Sequence, residues 1–112
     1  MGPATYRIDG LPGSALAAAA QFHQEHLPAI ERQLADVQVL TVVFPAAAYD
    51  HRAWRSAAIA DMARQHAPAR VNGIAGDESD ALTRAAAWLA SAPGITGQYF
   101  AVDGAGPQAA LV

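Results

Sequence analysis

The sequence predicts an α/β domain in which four mainly parallel strands alternate with three helices. Residues 37–44, Val-Gln-Val-Leu-Thr-Val-Val-Phe, form a nearly continuous apolar run rich in β-branched side chains, the pattern of a strand covered on both faces. Around it, short strand-like stretches alternate with longer ones whose apolar residues recur at helical spacings. Strands joined by crossovers of that length pair in parallel.

Taken in order, residues 4–9 set Tyr6 and Ile8 against Thr5, Arg7 and Asp9, a period of two that predicts a strand with one wet face, suited to a sheet edge. Gly10-Leu11-Pro12-Gly13-Ser14 predicts a turn, with Ser14 capping a helix that runs to about residue 34. Leu16, Ala20, Leu27, Ile30 and Leu34 share one face of that helix. Pro28 falls inside it, deleting a backbone hydrogen bond and crowding the preceding turn, so a kink or a break into two pieces is expected. The central strand stops at Pro45 and the three alanines after it. Asp50 is placed to cap a helix over 51–66, closed by Pro68.

Residues 70–75 predict a third strand. Asp77, Glu78 and Asp80 then suit the positive start of a helix continuing to about residue 91. Ala92-Pro93-Gly94 is a turn into a fourth strand over 95–104, and residues 105–112, without a clear period, read as an extended C-terminal arm. Right-handed crossovers between strands added in one direction put every helix on one face. The central strand then needs other cover, from a helix laid across the second face or from a second subunit.

At 112 residues the chain reads as one domain over 1–112, enough for a single core. Hydrophobic residues make up 53%, but alanine dominates them, so burial has to lean on the larger Leu, Ile, Val, Phe and Trp side chains. A formal charge of −3 provides no footprint for nucleic acid or an anionic membrane surface, and neither is expected as a partner. Cysteine is absent, which removes disulfides, thiolate nucleophiles and cysteine metal sites and fits a cytoplasmic location. Lysine is absent too, which excludes Schiff-base chemistry and a P-loop lysine. Met1-Gly2-Pro3-Ala4 lacks a basic segment followed by an apolar one, and no apolar run reaches the roughly 18 residues of a membrane span, so the expectation is a soluble protein that is not exported.

Three stretches carry a family resemblance. Ile95-Thr96-Gly97-Gln98, with Val102-Asp103-Gly104 after it, resembles the last core strand of the short-chain dehydrogenase/reductases. Arg70-Val71-Asn72-Gly73-Ile74-Ala75 is similar to that family's sixth strand, often Arg-Val-Asn-Ala-Ile, and Trp88-Leu89-Ala90-Ser91 to the end of the helix between them. Upstream, over 22–68, the likeness is one of order and spacing. The resemblance implies a small Rossmann-like domain of two or three layers, corresponding to the C-terminal half of such a dehydrogenase. It also marks departures. No GxGxxG turn is present for a dinucleotide. The family's catalytic tyrosine and lysine, four apart, fall on His51 and Arg55; Tyr49 is nearby, but four residues on is Ala53. The family's serine is replaced by Phe44 and Pro45, and its Pro-Gly after the sixth strand by Ala75-Gly76. The expectation is therefore no catalytic residue, no cofactor and a degenerate, non-enzymatic half.

Candidate binding residues remain. Gly10, Gly13 and Ser14, between a strand and a helix start, could offer free backbone N–H groups to an anion. His51 and Arg55, one helical turn apart with Tyr49 beside them, could form an anion or acid/base pair. His23 and His26 have a spacing that suits two metal ligands, but no third ligand stands at a convincing distance, and no metal is expected. Trp54 with Ala53, Ala57, Ala58 and Ala60 makes a small-residue helix face that lets another helix come close. In the resembled family the helices matching 14–34 and 51–66 form a dimer's four-helix interface, which implies Phe22, His26, Trp54 and Ala57 as interface residues here. The resulting expectation is a non-catalytic Rossmann-like domain acting through self-association, as a homodimer, or through another protein chain. The alternative is a small-molecule or anion site, in an enzyme or sensor, at the C-terminal ends of the strands near His51 and Arg55.

Overall fold

Four strands lie side by side in one sheet, all parallel and in chain order: β1 (Pro3–Arg7), β2 (Val39–Pro45), β3 (Arg70–Gly76) and β4 (Tyr99–Ala101). The computed structural model describes residues 2–102; the arm expected over 105–112 and the end of the fourth strand beyond residue 102 lie outside them. β2 is central, with Val42 opposite Tyr6 on one side and Gly73 on the other. Three helical connections join the strands: α1 (Ala15–Gln21) with α2 (Leu27–Leu34), then α3 (Arg52–Gln65), then α4 (Ser79–Ala90).

Side chains alternate across a strand, so the two core clusters reveal which helix covers which face. Leu40, Val42 and Phe44 point to one side, into Phe22, Ile30, Leu34, Ile59 and Met62 from the first two connections. Val43 and Ile74 point to the other, into Ala81, Leu82, Ala85 and Leu89 of α4. The domain is a three-layer α/β/α sandwich. This corrects the expectation of helices on one face only: α4 itself covers the second face. Strand order advances in one direction throughout while the helix changes sides, so the third crossover has the opposite hand to the first two, against the usual uniformity. What holds α4 there is Arg70, on the same side of β3 as Ile74. Its Nη1 donates to Ala92 O at 2.6 Å and Leu89 O at 3.1 Å, and its Nη2 to Ala90 O at 3.0 Å. These carbonyls lie at the C-terminal end of α4, where a cation suits the macrodipole.

The break expected at Pro28 is present in a specific form. Phe22–His26 is a single π-helical turn, in which the Leu27 N–H reaches back five residues to Phe22 O. Pro28 therefore sits in the first turn of α2, where its missing N–H has little cost. Ser14 caps α1 as expected, accepting from the Ala17 N–H at 3.3 Å. Asp50 does not cap α3. A 3-10 turn, Tyr49–His51, precedes that helix, and its backbone bonds His51 N–H to Ala48 O and Arg52 N–H to Tyr49 O, so no carboxylate is needed there. Glu78 caps α4, accepting from the Ala81 N–H at 2.7 Å.

The fourth strand is far shorter than expected. Gly97 has φ +75°, a left-handed conformation that cannot continue an extended strand, so ladder pairing starts only at Tyr99. Residues 95–98 dock on β3 by other means: the Val71 N–H donates to Thr96 Oγ1 at 3.0 Å, and the Gly97 N–H to Val71 O at 2.7 Å. Gly73 is the second glycine with a structural reason. A Cβ there would stand 2.9 Å from Ile59 Cγ1 and 3.2 Å from Phe44 Cε2, so its absence lets α3 close onto the sheet. Among the described residues no helix is long and apolar enough to cross a membrane.

Candidate functional site

Of the sequence-derived candidates, Gly13, His51, Trp54, Arg55 and Phe22 are brought together at the C-terminal end of β2, where α3 begins. Phe44, the last core residue of β2, is ringed by aromatic side chains: Phe22 stacks on it at 5.7 Å between centroids, and Trp54 and Tyr99 meet it edge-on at 6.0 and 5.7 Å. Phe22 is wholly buried in this cluster, on the inward face shared with Ala18 and Ile30, so it is a core residue of its own chain and is not available to a partner. Trp54 is half-buried against the same cluster.

His51 is 4% exposed, and both of its ring nitrogens are committed. Trp54 Nε1–H can only donate, and it lies 3.3 Å from His51 Nδ1, so Nδ1 accepts. The proton is then on Nε2, which donates to Gly13 O at 2.9 Å. One imidazole thus pins the Gly10–Ser14 turn, the 3-10 turn and α3 together, and neither nitrogen is left over for proton transfer. Gly10 and Gly13 are exposed, with open space where a side chain would be. Tyr49 is 85% exposed.

Arg55 is the largest fully buried side chain, 1% exposed. Its Nη1 donates to Pro45 O at 2.8 Å and to Tyr99 Oη at 3.2 Å, and its guanidinium lies 4.7 Å from the centre of the Phe44 ring and 5.6 Å from that of Trp54. Cation–π contact on both rings offsets part of the desolvation of the charge. No carboxylate among the described residues pairs with it; the ion pairs there are Arg64–Asp61 and His66–Glu31. Arg52, half-buried in the first turn of α3, lies 5.7 Å from the centre of the Tyr99 ring. The phenol that accompanies Arg55 is therefore Tyr99, which sequence reasoning passed over in favour of Tyr49. What brings it there is the register of β4 on β3, which puts Tyr99 beside Gly73 on the α3 face and is set by tertiary pairing.

The histidine pair at 23 and 26 does not converge. His23 donates from Nδ1 to Ala19 O at 2.8 Å on the exposed side, while His26 bonds Tyr6 Oη at 3.0 Å through Nδ1. Among the described residues no three His, Cys, Asp or Glu side chains could hold a metal ion together. On the outer side of α3, Ala53, Ser56 and Ala57 are exposed, and neighbouring α1 presents Leu16, 85% exposed, with Ala17 and Ala20.

A family model described as SDR-like, short chain dehydrogenase-like protein, matches residues 6–102. No curated protein and no solved structure gives a significant match. The chain belongs to the short chain dehydrogenase-like family.

Proposed function

We propose that this member of the short chain dehydrogenase-like family is a non-catalytic Rossmann-like domain that acts through self-association as a homodimer. The observation that carries the reading is the uncovered outer face of α1 and α3, where Leu16 is 85% exposed beside alanines and Ser56. Small side chains allow helix axes to approach to about 8–10 Å, and a two-fold pairing of this self-complementary face would shield Leu16 and supplement an alanine-rich core.

The non-catalytic part is supported by the residues at the positions where the family carries its chemistry. His51, where the tyrosine would be, has both nitrogens bonded within the fold, and Phe44-Pro45 ends β2 where the serine would be. A nicotinamide dinucleotide also fits poorly. Such cofactors lie in the crevice where strand order reverses, and the described sheet runs β1-β2-β3-β4 without a reversal. Sedimentation of the wild type and of Leu16→Glu and Ala57→Glu variants tests the assembly. The wild type should dimerise with rising concentration, and each variant should stay monomeric with an unchanged circular dichroism spectrum. A wild type that stays monomeric from micromolar to millimolar concentration ends the dimer reading, and nicotinamide-dependent turnover by the purified chain ends the non-catalytic one.

A further inference from the structure

The part of Arg55 that the fold leaves unused is a specific one. Both of its hydrogen bonds to the described residues come from Nη1, to Pro45 O and Tyr99 Oη, while Nε is sealed from solvent with no partner and Nη2 bonds to no described residue. The Nε–H and one Nη2–H of a guanidinium point the same way and form the fork that takes a carboxylate or phosphate in bidentate fashion. The guanidinium is positioned by the two Nη1 hydrogen bonds and by the Phe44 and Trp54 rings, whose centres lie 4.7 and 5.6 Å from its carbon. Arg52, across Tyr99, adds a second positive charge without an ion-pair partner among the described residues.

We propose that this fork binds the oxyanion of a small acid, a carboxylate or a phosphate, between the end of β2 and the first turn of α3. The proposal stands whether or not the chain dimerises. Arg55 is 1% exposed, so the anion enters as the neighbouring side chains give way. On binding it neutralises a buried charge that no carboxylate among the described residues pairs with, so occupancy raises the stability of the native state.

The test uses the full chain at constant ionic strength, titrated with acetate, succinate or inorganic phosphate against a chloride control. Two readouts are followed: the melting temperature and the Nε–H cross-peak of Arg55 in a 15N-correlated NMR spectrum. A saturable displacement of that cross-peak by one of the probes, with a parallel rise in melting temperature, supports the proposal, and the probe that acts separates carboxylate from phosphate. Arg55→Lys keeps the charge and loses the fork, so it should bind that probe at least roughly tenfold more weakly. An Arg55 Nε–H that none of the three moves, a response that climbs without saturating, or equal binding by Arg55→Lys overturns it. If the lysine variant does not fold, the wild-type cross-peak decides alone.

Discussion

Asn72 is fully buried in β3, and its amide bridges two backbone groups of the segment entering β4: Nδ2 donates to Ile95 O at 3.0 Å, and Oδ1 accepts from the Gln98 N–H at 3.1 Å. With Arg70 on the α4 carbonyls and Thr96 on the Val71 N–H, it makes the Arg-Val-Asn and Ile-Thr-Gly-Gln stretches a single clasp. The residues that point to a dehydrogenase family in the sequence are thus the ones that fasten its last strand. Removing the clasp should be expensive. Asn72→Ala removes both part-buried bonds, leaving the Gln98 N–H and Ile95 O without their Asn72 partner, and urea denaturation should show a loss of about 1–2 kcal/mol. Asn72→Asp should be worse at neutral pH, because an ionised carboxylate there is buried and cannot donate to Ile95 O. Burial raises the folded-state pKa of the new carboxyl above its unfolded value, so the protonated form favours the native state and stability returns as pH falls toward about 4. A deficit that stays constant between neutral and acid pH would count against this account.

At the scale of elements, Gly97 determines where β4 begins. Its φ of +75° turns the chain from the clasp into the ladder, and a Cβ there would meet Ala63 Cβ at an ordinary 3.5 Å, so strain in Gly97→Ala comes from the backbone alone. The variant should lose about 1–2 kcal/mol in chemical denaturation while keeping the same fold by circular dichroism; an unchanged midpoint would show that the turn relaxes freely. The element was legible as a strand from its composition but its length was not, because over residues 95–98 side-chain bonds from Asn72 and Thr96, with backbone bonds at Gly97 and Gln98, replace the regular ladder. The helix break before Pro28 was legible, since a proline inside a helical period has only a few outcomes. Its form as a π turn, with the Leu27 N–H on Phe22 O, was not, because spacing alone does not say which carbonyl takes that N–H. Asp50 was misread for a similar reason: a local rule placed a cap, and a 3-10 turn had already used the donors.

For the whole molecule, the parallel sheet and its order of elements followed from periodicity and crossover length, whereas the side chosen by α4 did not. The right-handed rule argued against it, and the interactions that overrule the rule, Arg70 to Leu89, Ala90 and Ala92, join residues roughly twenty apart. The site was half legible. His51 and Arg55 were singled out by the register of the family resemblance and their one-turn spacing, but that one has both nitrogens bonded, to Trp54 and Gly13, while the other has a buried Nε–H without a partner among the described residues is decided by tertiary contacts. The resulting sandwich is lopsided. On one face the connections from α1 to α3 contribute Phe22, Ile30, Leu34, Ile59 and Met62 to a large cluster around Phe44 of β2, and on the other α4 packs mainly through Ala81, Leu82, Ala85 and Leu89. Alanines bury little area, so α4 has less holding it than the helices opposite, and its C-terminus is tied to β3 and the approach to β4 through Arg70. Stability should then be uneven: α4 and β4 open together as one cooperative unit, below the free energy of global unfolding. In native-state hydrogen exchange the amides of Leu82 and Leu89 should report an opening free energy roughly 2 kcal/mol below those of Leu40 and Val42 in β2. Equal values for the two pairs would mean that the sheet couples its two faces more tightly than the packing on α4 implies.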